Sequence, residues 1–366
     1  MADPEVLLSG VLLNTPMGGA LRHNAELLPR VATLLESAGG GLSVMEGSKP
    51  VSFPLPASVR RLPTRVPANP RLLRVASEGF MLRNLLDQSS RRFDLIHFAH
   101  IPVPRRLPLP FTLTLHDMRS FELAEAPKTA RLVAKELHRS AVKRASLVVT
   151  VSETVAAALM KNFDISDDRI RIVPNAGDHF AVLPRRFDCD APILHVGHLE
   201  RRKNIELLIR AIALDAGLPP ISLAGIPKDD EEERLRRLAE DLGVSKRVTF
   251  LGRFDESELP ELYSRAACVA IPSKLEGFGI GVLEAQLAGV PLCISHADAL
   301  NEVAGSHVPR FHPEDPADCA RAIREALSLP TDQIELNRAQ ATRFSWDQSA
   351  EAFRDIWVEA VSLAAR

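Results

Sequence analysis

The sequence predicts an α/β protein of two doubly wound Rossmann-like domains, and three observations predict it. Short apolar runs rich in β-branched residues alternate with amphipathic stretches almost throughout, the pattern of parallel sheets wrapped by helices. The alternation pauses at a stretch with Pro184, two arginines and no apolar periodicity, and then restarts. A chain of 366 residues also exceeds what one hydrophobic core ordinarily serves.

"VLLSGVLL" opens the chain as a strand and "ALRHNAELLPRVATLLES" follows as its helix, in which Pro29 predicts a kink or an early break. "DLIHFAH" and "FTLTLHD" read as strands, "SLVVTVS" leads into the helix "ETVAAALMKNF", and "IRIVP" closes the first half. Beyond a linker near residues 180 to 192, the strands "PILHVG", "ISLAG", "RVTFLG", "CVAIPS" and "PLCIS" each precede a helical stretch. The first domain is drawn over 1–182 and the second over 183–345. The tail, "FSWDQSAEAFRDIWVEAVSLAA", reads as a helix opened by Ser345 or Asp347, with Trp346, Phe353 and Trp357 packing on the body. Over 346–366 it is expected to complete the first domain. The strand ends of the two domains are expected to face a common cleft, because open α/β sheets take ligands at the carboxyl ends of their strands.

Composition narrows the function. The 46% hydrophobic and 25% charged residues are those of a soluble globular protein, and 45 basic against 47 acidic side chains give no global pull toward nucleic acid. Cys189, Cys268, Cys293 and Cys319 lie far apart without C-x2-C pairing, which argues against a zinc site or a disulfide framework and makes a reducing cytoplasm the simplest home. The start carries acids and no positive n-region, so it reads as a strand and not a signal peptide. No run reaches the roughly 18 apolar residues of a membrane span, which leaves peripheral contact with a membrane.

The loops after the strands carry the chemistry. In "HVGHLERRKNIELLIRAI" a strand ends at Gly197 and a helix begins near Asn204, with Ile205, Leu208, Ile209 and Ile212 as its buried stripe. Arg201, Arg202 and Lys203 stand just before that helix. Its end already bears partial positive charge, so the cations call for an anion such as a diphosphate, or else form a solvated basic loop.

In "SKLEGFGIGVLEAQLAGVP" a helix from about Ile280 to Ala288 has Ile280, Leu283 and Leu287 on its buried face and Glu284 beside them. A carboxylate on an apolar stripe needs hydrogen-bond donors. Sugar or ribose hydroxyls would serve; the other reading is a half-exposed Glu284 paired with an arginine. Glu276 in the loop would face the reacting end of the same ligand, and Gly277 and Gly279 would let the backbone come close to it.

Gly18 and Gly19 precede the first helix and could open it to an anion, although they form no G-x-G-x-x-G. His97, His100, His116 and Asp117 lie at or just past neighbouring strand ends, where a histidine can polarise a sugar hydroxyl or meet a phosphate. A lone histidine is more often structural, and His116 ranks above His100, and both above His97. They lack the carboxylate or thiolate support of a metal cluster. "DCD" at 188–190 precedes a strand instead of following one and reads as linker. Between Arg60 and Arg106 ten arginines face three acids, with Phe80, Met81 and Leu82 among them. Such a region could rest on anionic lipid or hold an acidic acceptor, or its arginines could simply solvate a Pro-rich surface.

Four stretches, in order, resemble the retaining GT-B glycosyltransferases of family 4: "VTVSETVAAALMKNFDISDDRIRIVPNAGD", "VGHLERRKNIELLIRAI", "RVTFLGRFDESELPELYSRAACVAIPSKLEGFGIGVLEAQLAGVPLCIS" and "FSWDQSAEAF". The E-x7-E from Glu276 to Glu284 is the most specific part. The resemblance implies an acceptor-binding first domain and a donor-binding second one. It implies retaining transfer of a hexose from a nucleotide sugar to a hydroxyl of a glycan, lipid-linked or small-molecule acceptor, by front-face attack, with no metal or cofactor. GDP-mannose is the preferred donor, because "TLHDM" and "VGHLERRKN" look like mannosyltransferase members, and UDP-hexoses stay open.

Carried over, Arg202 and Lys203 would bind the donor diphosphate, Glu276 the sugar and Glu284 the ribose, while amides of Gly277, Phe278, Gly279 and Ile280 would hold sugar and phosphate. Gly19 would lie against the diphosphate, His116 by the reacting sugar, and His100 and Asp117 on the acceptor side. Many members carry arginine where this chain has His198. The expected place is the cytoplasm, at most peripheral on the inner face of the membrane. A non-catalytic nucleotide-sugar or glycan binder on the same scaffold is the alternative; a nicotinamide dehydrogenase would need a glycine fingerprint that the chain lacks.

Overall fold

The structure is a computed structural model that describes residues 3–15, 18–89, 92–118, 128–186 and 190–365. Arg91, Asp188 and Cys189 lie outside the described residues. The chain divides into two compact units, residues 1–174 with 346–366, and residues 175–345. Residues 175–182, expected with the first domain, group with the second because they pack on it. A Cβ on Gly177 would come within 2.9 Å of the Leu283 Cβ, and Phe180 stacks on Tyr263 at 5.7 Å between centroids.

Among the described residues the first unit holds seven parallel strands, β1 (Glu5–Ser9), β2 (Gly41–Met45), β3 (Arg60–Leu62), β4 (Leu95–Phe98), β5 (Phe111–Leu115), β6 (Leu147–Thr150) and β7 (Ile170–Ile172), in the order β3-β2-β1-β4-β5-β6-β7. The second holds β8 (Ile193–Val196), β9 (Ile221–Ala224), β10 (Val248–Gly252), β11 (Cys268–Ile271), β12 (Leu292–Ser295) and β13 (Arg310–Phe311), also parallel, in the order β10-β9-β8-β11-β12-β13. Helices cover both faces of a parallel sheet, which is why the central strands read as unbroken apolar runs. In each sheet the first strand lies between its successor and a strand reached by a crossover. The loops after β1 and β4, and after β8 and β11, therefore flank the two crevices where such sheets take ligands.

Helix Ile205–Leu214 buries Ile205, Leu208, Ile209 and Ile212 completely, as its 3.6-residue periodicity predicts. Helix Gly19–Ser37 runs through Pro29, so the early break does not occur. A proline removes one backbone donor, and the buried Leu27, Leu28, Val31, Ala32 and Leu35 hold both halves of the helix on the sheet. The helix after β11 spans Ile280–Leu287, and its buried face is not the expected stripe: Val282, Leu283, Glu284, Ala285 and Gln286 are all buried, while Ile280 and Leu287 are half-buried.

The closing helix, Trp346–Ala364, packs within the first unit with Trp346, Phe353 and Trp357 in the core. The Trp357 indole N–H donates to Nδ1 of His97 at 3.2 Å, and Arg354 pairs with Asp3. Among the described residues no helix is long and apolar enough to cross a membrane.

Candidate functional site

β8 ends at Gly197, whose φ of 140° only glycine takes readily. A short 3-10 turn, Arg201–Lys203, follows, and Asn204 in the left-handed region (φ 55°) redirects the chain into the helix at Ile205. Asn204 is 2% exposed, and its side-chain amide donates to the carbonyls of Pro272 (3.1 Å) and Pro313 (2.8 Å). The Lys274 amide donates to the Arg202 carbonyl at 2.8 Å. These bonds tie the loop after β8 to the loops after β11 and β13. Sequence reasoning placed Asn204 only as a helix start, because an asparagine before an apolar run reads as an ordinary N-cap.

The two loops bring Arg202, Lys203 and Glu276 together. One Glu276 oxygen accepts from Lys203 Nζ at 2.5 Å and from Ser273 Oγ at 2.7 Å, and the other accepts from Arg202 at 3.0 Å. Arg202 pairs in addition with Glu200, which also accepts from Lys228 at 2.7 Å. Burial works to raise the Glu276 pKa, but the charges of Lys203 and Arg202 outweigh it and hold the carboxyl at about 2. The Arg202, Lys203 and Glu276 side chains keep 14%, 16% and 10% of their surface exposed, so the cluster meets solvent. His198 lies beside it, its pKa lowered by burial and then by Lys228.

Glu284 is 7% exposed. One of its oxygens accepts from the Tyr263 hydroxyl at 2.7 Å and the other lies 3.0 Å from His179 Nε2. Tyr263 is fully buried; burial first, then the Glu284 charge, pushes its phenol well above the usual range. Neither Tyr263 nor His179 was singled out in the sequence, since one falls in an amphipathic helix and the other in the segment assigned to the first domain. Phe278 is 4% exposed and meets Phe344 edge to face at 5.8 Å, so its side chain is core and only its backbone belongs to the loop. Gly279 (φ 109°) starts the helix at Ile280, whose first N–H groups have no intrahelical acceptor.

The remaining expected residues lie in the first unit. Gly19 begins its helix after Gly18 (φ 57°) and is exposed. His116 and Asp117 follow β5, half-buried, with His116 edge-on to His23 at 4.7 Å. His100, two residues past β4, is 7% exposed and packs its Nε2 3.2 Å from a carboxylate oxygen of Glu78, which also accepts from Ser9. Glu78 is fully buried and Arg74, one turn before it, is 4% exposed. Both had been counted only as charges of a basic stretch. His97 is core: Trp357 donates to Nδ1, Thr114 lies 3.2 Å from Nε2, and burial first, then His23 and His100, lower its pKa to about 3. Eight of the nine described arginines from 60 to 106 are exposed, yet Leu82 is buried. The large apolar side chains that do face solvent on helix Arg71–Gln88 are Leu72, Leu73 and Phe80. Among the described residues no group of three or more His, Cys, Asp or Glu side chains converges as metal ligands would.

Two parallel doubly wound units of this build are the GT-B architecture. It recurs in sucrose-phosphate synthase from Thermosynechococcus elongatus (TM-score 0.81, 19% identity, 99% of this chain and 100% of that one). It recurs again in HepE from Anabaena in complex with UDP and glucose (TM-score 0.69, 19% identity, 96% and 99%). The family model for glycosyl transferases group 1 matches residues 186–343, and that for glycosyltransferase family 4 matches residues 18–179. O-antigen chain mannosyltransferase B of Escherichia coli is 30% identical over 315 residues, which are 80% of this chain and 79% of that protein. The chain belongs to the family 4 glycosyltransferases. The serotype-specific mannosyltransferase WbdA of Escherichia coli is 32% identical over 231 residues, and the match spans 57% of this chain and only 28% of WbdA.

Proposed function

We propose that the chain is a retaining hexosyltransferase that takes its sugar from a nucleotide sugar, GDP-mannose first and UDP-hexoses second. The acceptor is a hydroxyl of a glycan, lipid-linked or small-molecule substrate. The observation that carries the reading is the Arg202–Lys203–Glu276 cluster beside β8 and β11. Cleaving the bond from sugar to diphosphate builds negative charge on a phosphate oxygen, and preorganised cations stabilise that charge where it develops.

In the ligand-free chain Glu276 occupies both cations. A diphosphate carries more charge than one carboxylate, so it exchanges with Glu276 on Lys203 and Arg202, and Glu276 is released to accept from a sugar hydroxyl. Glu284 keeps its bond from Tyr263, with His179 Nε2 3.0 Å away, and accepts from the ribose as well. The two cations supply the charge a metal would bring, so the reading needs no metal ion and assigns no protein nucleophile. The mannosyltransferase relatives support the donor preference. On the acceptor side the reading keeps His116 and Asp117, both half-buried, and sets aside His100, which is buried against Glu78.

The reading extends to the surface of the first unit. Leu72, Leu73 and Phe80 are exposed on a helix that carries Arg71 and Arg83, and Arg83 reaches the Arg106 carbonyl at 3.4 Å. Apolar side chains ringed by arginine suit the anionic cytoplasmic face of a membrane. Liposome flotation should rise with anionic lipid and fall with salt; flotation indifferent to both would end this extension.

Purified protein screened against nucleotide sugars by thermal shift, then by release of nucleoside diphosphate, tests the function. A ligand at 100 times its Kd adds about 2.7 kcal/mol to stability, which such a scan resolves. Turnover in the presence of a chelator is the expected outcome. Binding without release would leave a nucleotide-sugar binder, and no shift with any donor would remove the reading.

A further inference from the structure

His195 lies inside β8 among Ile193, Leu194 and Val196 and is 1% exposed. Its Nδ1 sits 3.2 Å from the Ala270 carbonyl, which only accepts, so Nδ1 carries the proton. Nε2 is then a bare acceptor, and it has no hydrogen-bond partner among the described residues. Burial first, then the charge of Lys203, lowers the pKa to about 4, so the ring is neutral at pH 7. A buried acceptor left unmet is costly and uncommon, and an aliphatic residue would suit this strand better.

The free nitrogen has a specific neighbour. A Cβ on Gly197 would lie 4.0 Å from His195 Nε2 and 3.9 Å from Lys203 Nζ, so both nitrogens border the same small space above that glycine. Lys203 gives one N–H to Glu276, and an ammonium has three. Once a diphosphate has exchanged with Glu276, the flexible lysine stem needs another acceptor to fix the ammonium. A neutral imidazole supplies one without adding negative charge, so the cation stays fully available to the phosphate.

We infer that His195 is a positioning residue for Lys203, its Nε2 accepting an N–H from the ammonium when diphosphate replaces Glu276. The inference rests on the reading of Lys203 as the diphosphate ligand. Titration calorimetry of the full chain with GDP and UDP tests it through two variants. His195→Asn keeps a donor for the Ala270 carbonyl but places no acceptor near Lys203, and should weaken the better of the two ligands roughly 5–10-fold. His195→Gln puts an amide oxygen near the Nε2 position and should bind within about 2-fold of the parent.

On a Lys203→Ala background the loss from His195→Asn should vanish, which a merely structural role would not produce. Parent affinity in His195→Asn, or the same loss with and without Lys203, overturns the inference while the diphosphate reading stands. Undiminished binding in Lys203→Ala alone removes the reading and the inference together. If His195→Asn does not fold, the 15N resonance of His195 Nε2 in the parent protein decides: it should shift on adding GDP as the lone pair gains a donor, and an unmoved resonance in the bound protein refutes the role.

Discussion

Beside β8 and β11 two cations and a carboxylate pair with one another at the edge of solvent, whereas beside β1 and β4 a carboxylate, a hydroxyl and a histidine are sealed under a helix. The winding is the same in both units, and the first strand borders the crevice in each. Exposure separates them. Lys203 and Glu276 side chains keep 16% and 10% of their surface, while Glu78 keeps none and His100 4%. An ion pair that touches water can exchange its partner for a ligand's phosphate. A carboxylate with no exposed surface keeps the partners the fold gives it, since leaving a buried acceptor unmet costs free energy. On the proposed reading the second crevice is built to exchange partners, and the first to keep them.

The sharpest way to break this contrast is Lys203→Ala. Loss of a preorganised cation at the leaving phosphate should lower turnover by roughly 10²–10³-fold, read as nucleoside diphosphate released per enzyme. Parent-like turnover would mean that the cluster only stabilises the fold.

Acid should act on the second crevice in a defined window. The Glu276 pKa in the folded chain is about 2 against an ordinary 4.5, so its contribution to stability is present above 4.5 and is lost as pH falls toward 2. The shift corresponds to on the order of 3 kcal/mol. Urea melts of the parent and of Glu276→Gln should differ at pH 7 and converge as pH falls through that window. The same variant should bind GDP or UDP at least as tightly as the parent, because the cations no longer have a carboxylate to leave, while its turnover falls. Weaker binding would show that Glu276 does not compete with the ligand.

Glu78→Gln probes the sealed crevice. It should cost about 2 kcal/mol in stability by weakening the bonds from Ser9 and His100, and leave GDP and UDP affinity untouched. A change in affinity would put the first crevice in the donor site and dissolve the contrast.

How much of this was legible depends on what periodicity and chain order can record. The parallel sheets and the chemistry-bearing loops after β8 and β11 could be read from the chain, because apolar runs mark strands and charges at a helix start call for an opposite charge; that Glu276 itself meets Arg202 and Lys203 could not. Nor could the roles of Tyr263, His179 and Glu78. Each meets its partner across a fold boundary or a crossover, 21 residues apart for Tyr263 and Glu284 and 69 for Ser9 and Glu78. A short helix such as Ile280–Leu287, in which five successive residues from Val282 to Gln286 are buried, has no stripe to show which face receives a carboxylate. Pro29 misleads for a related reason: local propensity favours a break there, and the packing of the residues around it overrules the preference.

The smallest expected effect refines the second crevice itself, which on the proposed reading holds phosphate at Lys203 and ribose at Glu284. Tyr263→Phe removes the hydroxyl that donates to Glu284 and leaves the ring stacked on Phe180, so the packing persists while the carboxylate loses one of its anchors. Stability should fall by about 1 kcal/mol. A carboxylate that rotates more freely makes a poorer acceptor for two ribose hydroxyls, and GDP or UDP should bind a few-fold more weakly. Inorganic pyrophosphate has no ribose, and its affinity should not change. Equal weakening of pyrophosphate would show that Glu284 and Lys203 act as one electrostatic unit, and the division of the crevice into a phosphate end and a ribose end would have to be abandoned.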